Sequence, residues 1–265
     1  RTEQGARQLG FVPTMGALHE GHLALIRRSR ATMPCTVASI FVNPLQFSPH
    51  EDLSRYPRPF ERDCELLEHE GTNALFAPSP EEMYPPDRST LVLETRVSEG
   101  LCGAARPGHF NGVCTVVLKL LNLVQPSSAL FGEKDAQQLR VIERMVRDFD
   151  LPVTIVRVPT VREADGLALS SRNIYLSPGD REAAPTLYRA LLAMRDAFRS
   201  GERDVRRLES KGRAVLSAKF QIQYLEIRSV DTLAVFPDGA ISEPPALALV
   251  AGFFGTTRLI DNLTL

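Results

Sequence analysis

Two histidines three residues apart, His19 and His22, lie in the stretch Pro13-Thr14-Met15-Gly16-Ala17-Leu18-His19-Glu20-Gly21-His22, directly after a short apolar run. A helix start offers unpaired backbone N–H groups and the positive end of the helix dipole, and so favours an anion. Two imidazoles at that place would add hydrogen bonds to a phosphate, and Gly21 between them lets the backbone approach closely. Gly16 and Gly21 have the spacing of a GxxxxGK[ST] phosphate loop, but the lysine position is His22 and the hydroxyl position is Leu23, so the P-loop reading fails on its two chemical residues. Metal ligation by the pair is the alternative. No third His, Cys or carboxylate stands out nearby, and the dipole disfavours a cation. Two incidental surface histidines are the remaining reading. It loses ground because two of the five histidines in the chain share one glycine-flanked turn.

Two further stretches carry candidate chemistry. Gly132-Glu133-Lys134-Asp135 falls at another strand-to-helix turn and holds one of only four lysines among 31 basic residues. A compact ammonium there suits a transferring phosphate, and Glu133 or Asp135 suits the helix start; elsewhere in the chain the same cluster would read as solvated surface. Leu169-Ser170-Ser171-Arg172-Asn173 joins two hydroxyls to a guanidinium, a good clamp for an oxyanion, with a polar interdomain linker as its plain alternative.

The elements that must position these residues follow from periodicity. Residues 9–12 and 35–42 read as buried strands, and 22–33 as an amphipathic helix between them, which makes a βαβ unit with parallel pairing. The pattern repeats: helix 60–69, strand 74–77, helix 113–124, strand 129–131, helix 135–149, strand 153–158. This predicts an α/β fold, a Rossmann-like doubly wound parallel sheet whose strand ends carry the ligand site. From Ser177 the pattern predicts one helix to about Phe198, a second over 204–216, and strands 222–227, 248–254 and 258–260. We therefore expect residues 1–173 to form the catalytic domain and 174–265 a smaller C-terminal α+β lid domain.

Composition narrows the function classes. Lys plus Arg total 31 against 32 for Asp plus Glu, a formal charge of -1, which opposes a broad electrostatic grip on nucleic acid or an anionic membrane. The longest apolar stretch, residues 246–254, is far short of a spanning helix. The four cysteines show no CxxC spacing and no paired histidines, which fits a reducing cytoplasm.

In order along the chain, PTMGALHEGH (13–22), SIFVNPLQF (39–47), EDLSRYPR (51–58), RPGHFNGV (106–113), FGEKDAQQL (131–139) and DGLALSSRN (165–173) resemble the motifs of the pantothenate synthetase family, ATP-dependent ligases of the HxGH nucleotidylyltransferase superfamily. YLEIR (224–228) and TTRLIDN (256–262) fit as well. The resemblance implies a ligase that joins pantoate to β-alanine through a pantoyl adenylate, with ATP as substrate, Mg²⁺ beside it, and a cytoplasmic homodimer as the assembly. It implies that Met15, Gly16, Ala17, Leu18, His19, Glu20, Gly21 and His22 line the ATP site, together with Gly132, Glu133, Lys134 and Asp135. His22 is then the nominal proton donor to the departing phosphate. Lys134, Ser170, Ser171 and Arg172 match residues that hold phosphates, and Val161 and Leu169 match positions near the adenine. Gln46 and Gln138 match glutamines that orient pantoate, with Asn43, Tyr56 and Arg106 as neighbours of that pocket. Where the family commonly has adjacent acids after YPR, this chain has Arg62-Asp63, which leaves Asp63 as the metal-side candidate. Leu101-Cys102-Gly103 likewise departs from Leu-Glu-Gly. Family members also carry residues before the PTMG turn, so we expect a further segment ahead of Arg1. Rival readings are a nucleotidylyltransferase acting on a phosphorylated alcohol or nicotinamide mononucleotide, and a nucleotide-sensing module without catalysis. Neutral amides at Gln46 and Gln138 oppose the first, and the set His19, His22, Lys134 and Arg172 opposes the second.

Overall fold

The computed structural model describes residues 8–48, 51, 53–242 and 245–265. Two compact units account for them: one takes the described residues up to Glu133 together with Val141–Pro159, the other Lys134–Arg140 and Thr160–Leu265. The longer segment of the second unit thus starts after Pro159, ahead of the Asn173 boundary expected from the sequence, and the short segment Lys134–Arg140 joins it. The cause is local. Residues 161–169 fold back on themselves through an Arg162–Ala168 bridge and attach by ion pairing to the C-terminal strand, so they pack with the C-terminal part of the chain.

The first unit is a five-stranded parallel sheet in the order β3-β2-β1-β4-β5. Its strands are β1 (Leu9–Thr14), β2 (Cys35–Ile40), β3 (Ala74–Phe76), β4 (Ser128–Gly132) and β5 (Thr154–Val158); its helices include α1 (Glu20–Thr32), α2 (Phe60–His69), the short α3 (Pro80–Met83) and α4 (Leu101–Ala105), and α5 (His109–Val124). Helix α6 (Ala136–Asp148) begins in the second unit and ends in the first. Val12, Ala38, Leu130 and Val158 from the sheet pack with Leu25, Ile26 and Leu67 from α1 and α2, so the apolar stripe of each helix covers strands that are apolar on both faces. Strand order reverses between β1 and β4, the place where open α/β sheets bind ligands at their carboxyl edge.

The second unit has a three-stranded antiparallel sheet, β6 (Phe220–Ser229), β7 (Ala246–Phe254) and β8 (Thr257–Thr264), in that order, with helices α7 (Pro178–Ala183), α8 (Thr186–Arg199) and α9 (Val205–Arg213). The single helix expected over 178–198 is two. Pro185 between them has no N–H to donate, and its ring opposes a continuous helix. Leu187, Leu191 and Met194 from α8 and Leu208 from α9 close over Leu225, Ala248 and Val250 of the sheet.

Candidate active site

The first unit builds its histidine turn almost entirely from local bonds. Gly16 and Ala17 both take positive φ, 76° and 51°, which turns the chain sharply off β1. The turn is closed by Thr14 Oγ1, which donates to Ser39 O (2.7 Å) and accepts from Gly16 N (3.1 Å). His19 is the N-cap of α1. Its Nδ1 accepts from Gly21 N (3.1 Å), while His22 Nδ1 accepts from His19 N (3.3 Å), a capping box made of two imidazoles with ring centroids 4.1 Å apart. Because each Nδ1 is an acceptor, the hydrogen-bond pattern assigns the neutral Nε2–H tautomer to both rings. The Nε2–H of each ring is then a donor at the start of α1, where the His19 and Gly21 amides are taken up by the cap and the His22 amide bonds His19 O (2.7 Å).

Asp63, buried on α2, reaches the same turn. Its Oδ2 accepts from Ala17 N and its Oδ1 from Leu18 N, both at 2.8 Å. The carboxylate considered for the metal side is thus committed to two backbone amides of the turn, a positioning task. The sequence offered no signal for it, since the partners are 45 and 46 residues apart. Among the described residues no group of three or more His, Cys, Asp or Glu side chains could hold a metal ion.

A second cluster of the first unit surrounds Gln46. The short 3₁₀ turn Pro44–Gln46 lies against α5 at Gly112, where an added Cβ would fall 2.2 Å from Leu45 O; glycine is required there by close approach. Asn43 is buried, donating from Nδ2 to Gln46 Oε1 and to Gly112 O (both 3.1 Å), and its Oδ1 accepts from Leu45 N and from the Tyr84 hydroxyl at 2.8 Å. Burial pushes the Tyr84 phenol up to about 12, so it stays a donor. Gln46 spends its Oε1 on Asn43, and among the described residues its Nε2 meets only the thioether of Met15 (2.8 Å), a weak acceptor that a carboxylate or hydroxyl would displace. Tyr56 is buried edge-on to Phe47.

Arg106 packs against the backbone side of Gln46. Its guanidinium holds Glu51 through Nε (2.6 Å) and Nη2 (2.7 Å), reaches Gln46 O (3.2 Å), and lies 3.1 Å from His109 Nε2. His109 Nδ1 sits 2.8 Å from the same Gln46 carbonyl, so His109 is the Nδ1–H tautomer, with Nε2 accepting from Arg106. Arg106 and His109 together orient Gln46 from its backbone side. Burial raises the Glu51 carboxyl, but the Arg106 hydrogen bonds and charge outweigh it and hold the group below its ordinary value.

The second unit carries the charged candidates. Val161 and Leu169, 3.0 Å apart from carbonyl to amide, face each other across a small hairpin closed at Asp165-Gly166, so the two positions expected near an adenine are brought together. The hairpin leads into a 3₁₀ turn capped by Ser170, whose Oγ accepts from Arg172 N (3.2 Å) and keeps its own proton for another acceptor. Burial lowers the Lys134 ammonium below its ordinary value; nearby Asp135 and Asp261 raise it, and Arg172 lowers it further. Lys134 and Arg172 therefore repel, an arrangement relieved by an anion. Gln138 lies half-buried in the first turn of α6. Gly132 ends β4, and Glu133 N bonds Val158 O in the first unit.

Comparison with known proteins places this geometry. The family model for pantoate-beta-alanine ligase matches residues 1–264. The chain belongs to that family. It is 53% identical over 261 residues to the pantothenate synthetase of Thermotoga petrophila, covering 98% of this chain and 92% of that protein. The crystal structure of the Thermus thermophilus pantothenate synthetase superposes with a TM-score of 0.93 at 54% identity, covering 97% of this chain and 92% of that one. A pantoate-beta-alanine ligase structure from Francisella tularensis, complexed with beta-gamma ATP and β-alanine, matches with a TM-score of 0.78 at 34% identity over 97% of this chain and 90% of that one. Within this family the residues that sequence reasoning missed are supporting ones: Glu51, Tyr84, His109, Arg162, Asp261 and Asn262.

Proposed function

We propose that this chain condenses pantoate with β-alanine using ATP and releases AMP and pyrophosphate. A pantoate carboxylate oxygen attacks the α-phosphorus of ATP, the bond to the bridging oxygen breaks, and pyrophosphate leaves. The β-alanine amine then attacks the carbonyl carbon of the pantoyl adenylate, AMP leaves with the C–O bonding pair, and the amine gives up a proton. A carboxylate is a poor acyl donor until its oxygen becomes part of a good leaving group, and the protein's contribution is to position and neutralise charge.

The observation that carries this reading is the pair of neutral amides around Gln46, with a donor resting on a weak acceptor, in a family whose Francisella tularensis member is complexed with beta-gamma ATP and β-alanine. In the proposed assignment Gln46 and Gln138 take the pantoate hydroxyl and carboxylate, with Asn43 and Tyr56 shaping the pocket. The Nε2–H groups of His19 and His22 donate to phosphate oxygens. Lys134, Ser170, Ser171 and Arg172 hold the negative charge that develops during adenylation, and Val161 and Leu169 flank the base. Mg²⁺ accompanies ATP as its counter-ion. With the Asp63 oxygens already engaged and no metal-ligating cluster among the described residues, the donor set does not form a protein cage, and no step is assigned to the ion. We further assign the enzyme to a cytoplasmic homodimer.

The test is pyrophosphate exchange with ATP and single acids. Exchange that requires pantoate, with pantothenate appearing only once β-alanine is added, supports the ligase reading. Exchange with nicotinamide mononucleotide and none with pantoate overturns it.

A further inference from the structure

The run TTRLIDN (256–262) belongs to the family pattern, yet the proposed reaction leaves it without a task. Strand β8 puts Asp261 and Asn262 side by side in the interior of the second unit, both buried. A buried carboxylate next to a buried amide is costly unless both are bonded. Both are. Asp261 receives Arg162 in a two-pronged pair, Nη1 to Oδ2 at 2.6 Å and Nη2 to Oδ1 at 2.9 Å, and its Oδ1 also accepts from Asn262 N. Asn262 donates from Nδ2 to the backbone carbonyl of Lys134 at 2.8 Å. Arg162 continues to the Asn262 carbonyl (3.3 Å) and to the Gly166 carbonyl (3.1 Å), and its guanidinium lies 3.8 Å over the Tyr188 ring.

One cluster therefore reaches both segments that carry phosphate-seeking cations: the backbone of Lys134, and the hairpin that runs on to Arg172. A lysine has four carbons of rotatable stem, and a misplacement of about 1 Å at a reacting group costs about 100-fold in rate. We propose that Asp261 and Asn262 are positioning residues for Lys134: Asn262 bonds its backbone carbonyl, and Asp261 holds Asn262 through its backbone N–H and anchors Arg162 beside it. The proposal rests on the reading of Lys134 as a phosphate-holding residue, and its test separates the two.

The chain has only four lysines, so isotope-labelled lysine gives four side-chain signals, and the one absent in Lys134→Arg is that of Lys134. We expect this signal, read at one pH, to move from its wild-type position in both Asn262→Ala and Asp261→Asn while the other three stay in place. An unmoved Lys134 signal in Asp261→Asn, with the other three signals native, overturns the role of Asp261. Asn262→Ala is expected to lower kcat for pantoate-dependent exchange by roughly 10- to 100-fold with the pantoate KM unchanged. A kcat within about twofold of wild type overturns the role of Asn262. Should Asp261→Asn fail to fold, Asn262→Asp, which keeps the shape and removes the donor, is expected to match the Asn262→Ala loss; wild-type kcat there overturns the proposal. A wild-type protein with no pantoate exchange counts against the function alone, because the lysine signals are read without turnover.

Discussion

The two groups of candidate residues are held by opposite means. The His19–His22 turn is a capped construction: the His19 ring accepts from Gly21 N, the His22 ring accepts from His19 N, and one buried carboxylate, Asp63, ties down two amides. Lys134 and Arg172 in the second unit form a charged construction, with cations set in a partly desolvated place and balanced by Asp135 and Asp261. Capping bonds fix orientation with little electrostatic cost, which suits donors that must point at a phosphate in every step. Desolvated charge is costly in the resting protein and most useful when negative charge builds up, which suits the adenylation transition state. The two groups should therefore fail differently when cut.

The largest expected effect is at the charged group. Lys134→Ala should lower the adenylation rate by about 10³-fold or more while the melting profile stays native, because the lost interaction is made chiefly in the transition state. Near-normal exchange in that variant would reduce Lys134 to a surface residue. Arg162→Ala should be a stability variant instead. It strands the Asp261 carboxylate in the interior, at a cost of about 3–5 kcal/mol readable by denaturant unfolding, and a loss below about 1 kcal/mol would mean that the pair is dispensable.

The capped turn and the Gln46 cluster should give smaller changes. Asp63→Asn keeps one acceptor and turns an amide toward a backbone N–H, so about 1–3 kcal/mol of stability and a slower exchange rate are expected, with no dependence on added Mg²⁺ beyond that of wild type. A rate restored by raising Mg²⁺ would return Asp63 to the metal side. The smallest effect belongs to Glu51. Its carboxyl is held below its ordinary 4.5 by Arg106 against the opposing effect of burial, so the pair stabilises the fold above that pH and the contribution disappears as pH falls through the lowered value. Glu51→Gln should melt lower than wild type at pH 7, by about 1 kcal/mol, and the difference should shrink as pH falls through the lowered value. A difference that persists in acid would assign the effect to packing.

The same contrast explains what could be read from the sequence. The histidine turn lies within one contiguous stretch after an apolar strand, so residue type, spacing and helix start were all visible together, and the alternating strands and helices of the first unit followed from periodicity. The charged group could be read only as far as Lys134 and Ser170 to Arg172 themselves. Its supports, Arg162 with Asp261 and Lys134 with Asn262, join residues 99 and 128 positions apart, and no local pattern marks such pairs. Arg106 is a middle case. Its family motif suggested a neighbour of the Gln46 pocket, but that its guanidinium is bonded to Glu51 and the Gln46 carbonyl depends on tertiary placement alone. The helix break at Pro185 was legible in principle, since proline opposes a helix interior. The strong apolar stripe on both sides of it outweighed the signal.

A rapid-quench experiment with enzyme, ATP and pantoate, with β-alanine withheld and the mixture analysed by mass spectrometry, tests the central claim most directly. The account predicts that pantoyl adenylate and pyrophosphate form in equal amounts on the enzyme, and that added β-alanine converts the adenylate to pantothenate and AMP. ATP cleavage that begins only when β-alanine is present, with no adenylate at any time, would contradict it.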